Sequence, residues 1–167
     1  MSGRPSSPWT PRRLAALVLA DVGVVFAWTV AVGATAPRWP ARWLARDRGP
    51  LRLAPGESAV AYRRVGVQRW ARRLPELGGT FGVSKRRLPG GSPDELAAYV
   101  VEVRRAEWVH WLSLLSLVPL AALNPRWLWA LFATIAGAVN APFVAILRFN
   151  RLRLLGLLAR RRPARRG

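Results

Sequence analysis

The sequence predicts a mainly α fold: a small integral membrane protein with an N-terminal transmembrane helix and a C-terminal helical hairpin, joined by a basic interfacial loop region. Three observations predict it. The apolar residues of a chain that is 51% hydrophobic are gathered into two zones. The basic residues, 27 against 8 acids for a net charge of +19, largely avoid those zones. Most of the nine tryptophans stand at the zone edges, where amphipathic rings sit at headgroup depth.

Residues 1–13 form a short basic tail. Residues 14–36 are a run with one charge, Asp21, long enough at about 1.5 Å per residue to cross a hydrocarbon core of about 30 Å. This run reads as a transmembrane anchor. A competing reading makes it a signal segment, with Arg12 and Arg13 as the positive region and Ala34, Thr35 and Ala36 as a small-residue cleavage site. Residues 37–91 form the basic interfacial region, with the Arg, Trp and Pro of 38–52 along the headgroups and a short helix or strand anchored by Tyr62, Val65, Val67 and Trp70.

The sharpest boundary follows. Ser92, Pro93, Asp94 and Glu95 combine an N-cap serine, proline at the first helical position and a glutamate three residues after the cap. The helix they start covers 92–123, beginning in water and ending in lipid. Its apolar part, 108–123, is short for a span and carries Pro119, so it must draw on its flank, kink or lie shallow. A turn at 124–127 leads to a transmembrane helix at 128–147 and a basic tail at 148–167. Trp39, Trp43, Trp108, Trp111, Trp127 and Trp129 mark the water boundary. In this reading 23 basic residues fall on one side and 4 on the other, which makes the loop and C-terminal tail cytoplasmic in a multi-pass cell-membrane protein.

Several classes of chemistry are excluded by composition. There is no cysteine and one histidine, His110, so no thiolate site, cysteine nucleophile or multi-histidine metal centre is possible on one chain. The commonest hydrolase, nucleotide and dinucleotide motifs are absent as well. Glu107 and His110 are half of a di-iron pattern whose second half is missing. The charge favours an anionic partner, and the tryptophans tracking the bilayer edge favour anionic lipid over nucleic acid.

The candidate site gathers around His110. Glu107 lies three residues before it and Glu102 eight before it, both near its helix face. A carboxylate beside an imidazole fixes its tautomer and supports general-base work. A purely structural alternative has His110 snorkelling while the glutamates pair with Arg104 and Arg105. Asn140, two before Pro142, and Arg148, Asn150 and Arg151 at the end of the last span are equally consistent with a kinked, basic-anchored helix or a ligand site. Asp21 is costly at mid-depth and has no partner visible in sequence.

Taken in order, Val67-Gln68-Arg69-Trp70-Ala71-Arg72-Arg73-Leu74, Arg104-Arg105-Ala106-Glu107 with His110-Trp111, Asn140-Ala141-Pro142 and Arg148-Phe149-Asn150-Arg151-Leu152-Arg153-Leu154 resemble the glycosyl-4,4′-diaponeurosporenoate acyltransferase family of the staphyloxanthin-type carotenoid pathway. The resemblance covers about residues 56–160. Leu147, Phe149 and Leu152 depart from the family's usual glutamine, tyrosine and proline, which bears on the substrate more than on the fold. The resemblance implies a membrane enzyme that esterifies a sugar hydroxyl of a glycosylated carotenoid-like lipid.

The residues fit direct transfer. His110 is the expected general base, with Glu107 or Glu102 orienting it and Asn140 or Asn150 donating to the oxyanion. Arg104, Arg105, Trp111, Arg148 and Arg151 complete the expected binding set. No cofactor is expected beyond an acyl donor such as an acyl thioester as co-substrate. The expected partners are that donor, a glycolipid acceptor and a bilayer containing anionic lipid. The alternative is a non-catalytic membrane protein that binds anionic lipid or a partner through its basic loop.

Overall fold

The computed structural model describes residues 10–71 and 92–161. The described residues form helices and turns, with no strand among them. α1 is Pro11–Thr35, α2 Ala59–Arg64, α3 Val67–Ala71, α4 Pro93–Ser113, α5 Leu117–Leu123 and α6 Arg126–Arg161, and 3-10 turns occupy Ala36–Arg38, Ala41–Leu44, Gly49–Leu51 and Leu114–Ser116. Among the described residues, three units are long and apolar enough to cross a membrane: Pro11–Arg38, Pro93–Leu123 and Arg126–Arg161. The protein is a small helical membrane protein, as its sequence predicts.

Each helix follows from local chemistry. Thr10 caps α1 by accepting from Arg13 N, with Pro11 just inside. At α4 the capping box forms in full: Ser92 Oγ accepts from Glu95 N at 3.2 Å, and Glu95 Oε2 accepts from Ser92 N at 3.4 Å. Beyond Ser113 the chain tightens into the 3-10 turn Leu114–Ser116 before α5. Pro119 explains this, since its ring crowds the carbonyl four residues back and offers no N–H. Ser113 and Ser116 bond back to the carbonyls of Val109 and Ser113.

α6 does not stop where the apolar run stops at 147. It continues to Arg161 because Leu147, Leu154 and Leu158 form a stripe that packs on Leu96, Val100 and Val103 of α4. The two stripes recur at spacings of three, four and seven, the repeat of one helical face. Thus the ends of α4 and α6 beyond the apolar zones make the main hydrophobic core, each buried Leu or Val contributing about 1.5–3 kcal/mol.

Within the apolar zones polar contacts join the helices. Asn124 Nδ2 donates to Asp21 Oδ1 at 2.9 Å, giving the buried acid of α1 a partner at the hairpin turn. Trp28 Nε1 donates to the Leu112 carbonyl at 2.9 Å, and Trp129 Nε1 to the Leu117 carbonyl at 3.0 Å. Lipid tails are as apolar as leucine, so these bonds and close packing hold the spans where hydrophobic driving force is weak.

Residues 36–52 fold over α4, burying Ala36, Leu44 and Leu51. Gly49 makes this turn at φ +54°, and the Trp108 ring lies where a side chain on Gly49 would touch it. The segment thus has an inward apolar face, which the sequence reading did not include. Gly66, at φ +73°, turns α2 into α3, which packs against α6.

Candidate functional site

His110 sits half-buried on α4, facing the proline-bearing part of α6. Its ring stacks on Phe143, with centroids 5.0 Å apart and planes 8° from parallel. Nδ1 lies 2.9 Å from Asn140 Oδ1, while Asn140 Nδ2 donates to the Ala136 carbonyl at 2.8 Å. Because the amide nitrogen is committed to a carbonyl, the oxygen faces the imidazole and must accept. Nδ1 therefore donates, and in the neutral imidazole this leaves the lone pair on Nε2, the tautomer a general base requires.

One turn toward the water, a charge network ties α4 and α6 to the 36–57 segment. Glu107, fully buried at 0% exposure, meets Arg148 Nε at 2.9 Å and Arg151 at 3.3 Å, and Trp111 Nε1 approaches it at 3.5 Å. Arg148 also pairs with Glu57 at 3.0 Å and donates to the Pro50 and Arg52 carbonyls. Arg151 and Arg104 converge on Asp47 Oδ1 at 2.8 and 2.7 Å, and each donates further to carbonyls of Leu51, or of Leu44 and Ala45. The proline-rich 3-10 wrap exposes carbonyls that no ladder satisfies, and guanidinium, with five fixed donors, is suited to satisfy them.

Glu57 and Tyr62 form the outer corner. Tyr62 OH donates to Glu57 Oε1, and Glu57 Oε2 accepts from Ala54 N at 2.7 Å. Burial raises the Glu57 carboxyl, but Tyr62, the Ala54 N–H and Arg148 together outweigh it and leave the group below its ordinary value. Burial, followed by the hydrogen bond to the Glu57 carboxylate, pushes the Tyr62 phenol up to about 12.

The structure thus places His110 with Asn140, and Glu107 with Arg148, Arg151 and Trp111. Glu102 pairs with Arg105 at 3.3 Å, and Arg105 also donates to the Ala36 and Pro37 carbonyls. Asn150 lies nearly three turns beyond Asn140 on α6, lining a separate groove with Gln68 and Arg153. Asp47, Glu57 and Tyr62 were not singled out as site residues from sequence. A signal for the two acids existed: they are isolated acids in a strongly basic stretch, and every buried carboxylate there has guanidiniums to meet. Phe143, beneath the imidazole, gave none, being one apolar residue in an apolar span.

The family model for glycosyl-4,4′-diaponeurosporenoate acyltransferase matches residues 40–160, a stretch that holds the wrap, the charge network and the His110–Asn140 pair. A relative of that name from Staphylococcus aureus (strain USA300) is 34% identical over 74 residues, covering 44% of this chain and 44% of the relative. Another from Staphylococcus haemolyticus (strain JCSC1435) is 31% identical over 93 residues, covering 53% and 52%. The chain spans about half the length of the curated relatives it matches. No solved structure matches. With the family match running from the wrap to the end of α6, the chain belongs to the glycosyl-4,4′-diaponeurosporenoate acyltransferase family.

Proposed function

We propose that this protein is a membrane acyltransferase that moves a fatty acyl group from a donor such as an acyl thioester to a sugar hydroxyl of a glycosylated lipid. The observation that carries this reading is the His110–Asn140 pair, a tautomer-fixed imidazole at the boundary of an apolar span in a chain of this family. His110 Nε2 takes the acceptor hydroxyl's proton as its oxygen bonds to the thioester carbonyl carbon. Collapse breaks the carbon–sulfur bond, and the imidazolium returns its proton to the departing thiolate. The products are an ester and a thiol, and no covalent enzyme intermediate is needed.

In this scheme Asn140 is the group that orients the base. Glu107 acts one step removed, holding α4 and α6 in register through Arg148 and Arg151. The loop and tail face the cytoplasm, on the strength of 23 basic residues against 4. That side holds the soluble donor, while the lipid acceptor approaches from the bilayer.

The test uses the full chain in proteoliposomes with a fatty acyl thioester and a glucosylated lipid, read by mass spectrometry of the ester. His110→Ala lowers turnover by roughly 10²- to 10⁴-fold, the usual contribution of a general base. Undiminished turnover in His110→Ala overturns the assignment. Anionic-lipid binding without turnover in the native chain favours the non-catalytic alternative.

A further inference from the structure

One groove plays no part in the scheme above. On the side of α6 facing α3, a cavity of about 300 Å³ is lined by Gln68, Ala71, Ile146, Phe149, Asn150 and Arg153. Its cation differs from the others near it. Arg104, Arg148 and Arg151 are each engaged by a carboxylate. The exposed Arg153 instead lies 5.5 Å over the Phe149 ring, a contact that places the guanidinium without neutralising it. Two amides, Gln68 and Asn150, stand beside it, with Ile146 and Phe149 as apolar wall.

The groove is in register with the imidazole. Phe143, Ile146, Asn150 and Arg153 follow one another at spacings of three, four and three, which keeps them within about 80° on one face of α6. Phe143 stacks on His110 and Arg153 lies ten residues further along, about 15 Å by helical rise. An extended phosphopantetheine arm has the length of about five extended residues, roughly 17 Å. It carries a phosphate at one end, a thiol at the other, and two amides and a gem-dimethyl group between. With the thioester carbonyl at His110, the phosphate reaches Arg153, the gem-dimethyl group next to it meets Phe149, and the amides follow beside Asn150 and Gln68.

We propose that this groove is the acyl donor's site and that the donor is a phosphopantetheine thioester, its phosphate held by Arg153. The proposal rests on the acyltransferase reading above. A donor fits this groove better than the acceptor does, because a lipid anchor holds the acceptor on the apolar side of His110, whereas the groove lies toward the polar end of α6. Coenzyme A and an acyl carrier protein both present this arm.

Equilibrium binding to the full chain in lipid nanodiscs tests it, with 4′-phosphopantetheine and phosphate-free pantetheine as probes. The native chain binds the phosphorylated arm roughly tenfold more tightly, as one charge-assisted contact provides. Arg153→Gln abolishes that preference and Arg153→Lys restores most of it. Equal affinity for both arms in the native chain, or a preference that survives Arg153→Gln, overturns the proposal. Displacement by coenzyme A or by phosphopantetheinylated carrier protein supports it and names the source, and displacement by neither overturns it. Inorganic phosphate competing as well as the full arm also overturns it, since a bare anion site would then suffice. Binding is read without turnover, so failure of the general-base assignment, seen as undiminished transfer by His110→Ala, stays distinguishable from failure here.

Discussion

An imidazole at the edge of an apolar span has few ways to keep one tautomer, and here an amide does it. Asn140 is held by the Ala136 carbonyl and turns its oxygen to His110 Nδ1. Both residues stood out in the sequence, but their pairing did not. Sequence spacing reveals neighbours on one helix, which offered Glu107 and Glu102, whereas Asn140 reaches His110 across thirty residues and a helical hairpin. Replacing Asn140 with leucine lowers kcat roughly 10- to 100-fold, the range for a partner that orients a working histidine, and leaves KM for the acyl donor in place. A loss confined to KM would contradict the positioning role.

The Glu57–Tyr62 corner gives the fold a pH signature at both ends. The Glu57 carboxyl is held below its ordinary value in the folded state, so its contribution is present above the usual carboxylate range and is lost as pH falls through the folded value. The phenol of Tyr62 is raised from 10.0 to about 12. Its contribution is therefore complete below pH 10 and is lost as pH rises toward 12. Thermal unfolding from pH 4 to 11 should give a plateau with falling limbs, and Tyr62→Phe should flatten the alkaline one.

Among elements, two kinds of cohesion divide the helices. Where α4 and α6 extend beyond the apolar zones, leucine and valine stripes pair. Within those zones, single bonds such as Asn124 to Asp21 and Trp28 to the Leu112 carbonyl join helices that gain little from hydrophobicity. The α4 start was legible to the residue because its capping box is a local code. The extent of α6 was less so: its charges read as a basic tail, although Leu154 and Leu158 continued the stripe begun at Leu147. Likewise the bend before α5 was signalled by Pro119, while the partner of Asp21 needed the hairpin. Leu154→Ala should cost about 2–5 kcal/mol and lower the unfolding temperature in detergent. A loss below about 1 kcal/mol would show that the pair contributes little there.

At the scale of the whole molecule, the charge divides into two populations. Arg104, Arg148 and Arg151 offset Asp47, Glu57 and Glu107 inside the network. Among the described residues, most of the other arginines are exposed, and the proposed orientation rests on how the basic residues divide along the sequence. Because the chain has no cysteine, single cysteines report sidedness cleanly. Cysteines replacing Arg63 and Arg160 should react with an impermeant thiol reagent only after the membrane is opened, whereas one replacing Arg126 should react in intact cells. The reverse pattern would invert the orientation.

In the proposed scheme His110 drives acyl transfer to a glycosylated lipid. Lipid profiling of a strain deleted for this protein, complemented by the native chain or by His110→Ala at matched membrane levels, tests it most directly. The expected result is that an acylated glycolipid disappears on deletion, returns with the native chain and stays absent with His110→Ala. An unchanged lipid profile on deletion, or full restoration by His110→Ala, would contradict it.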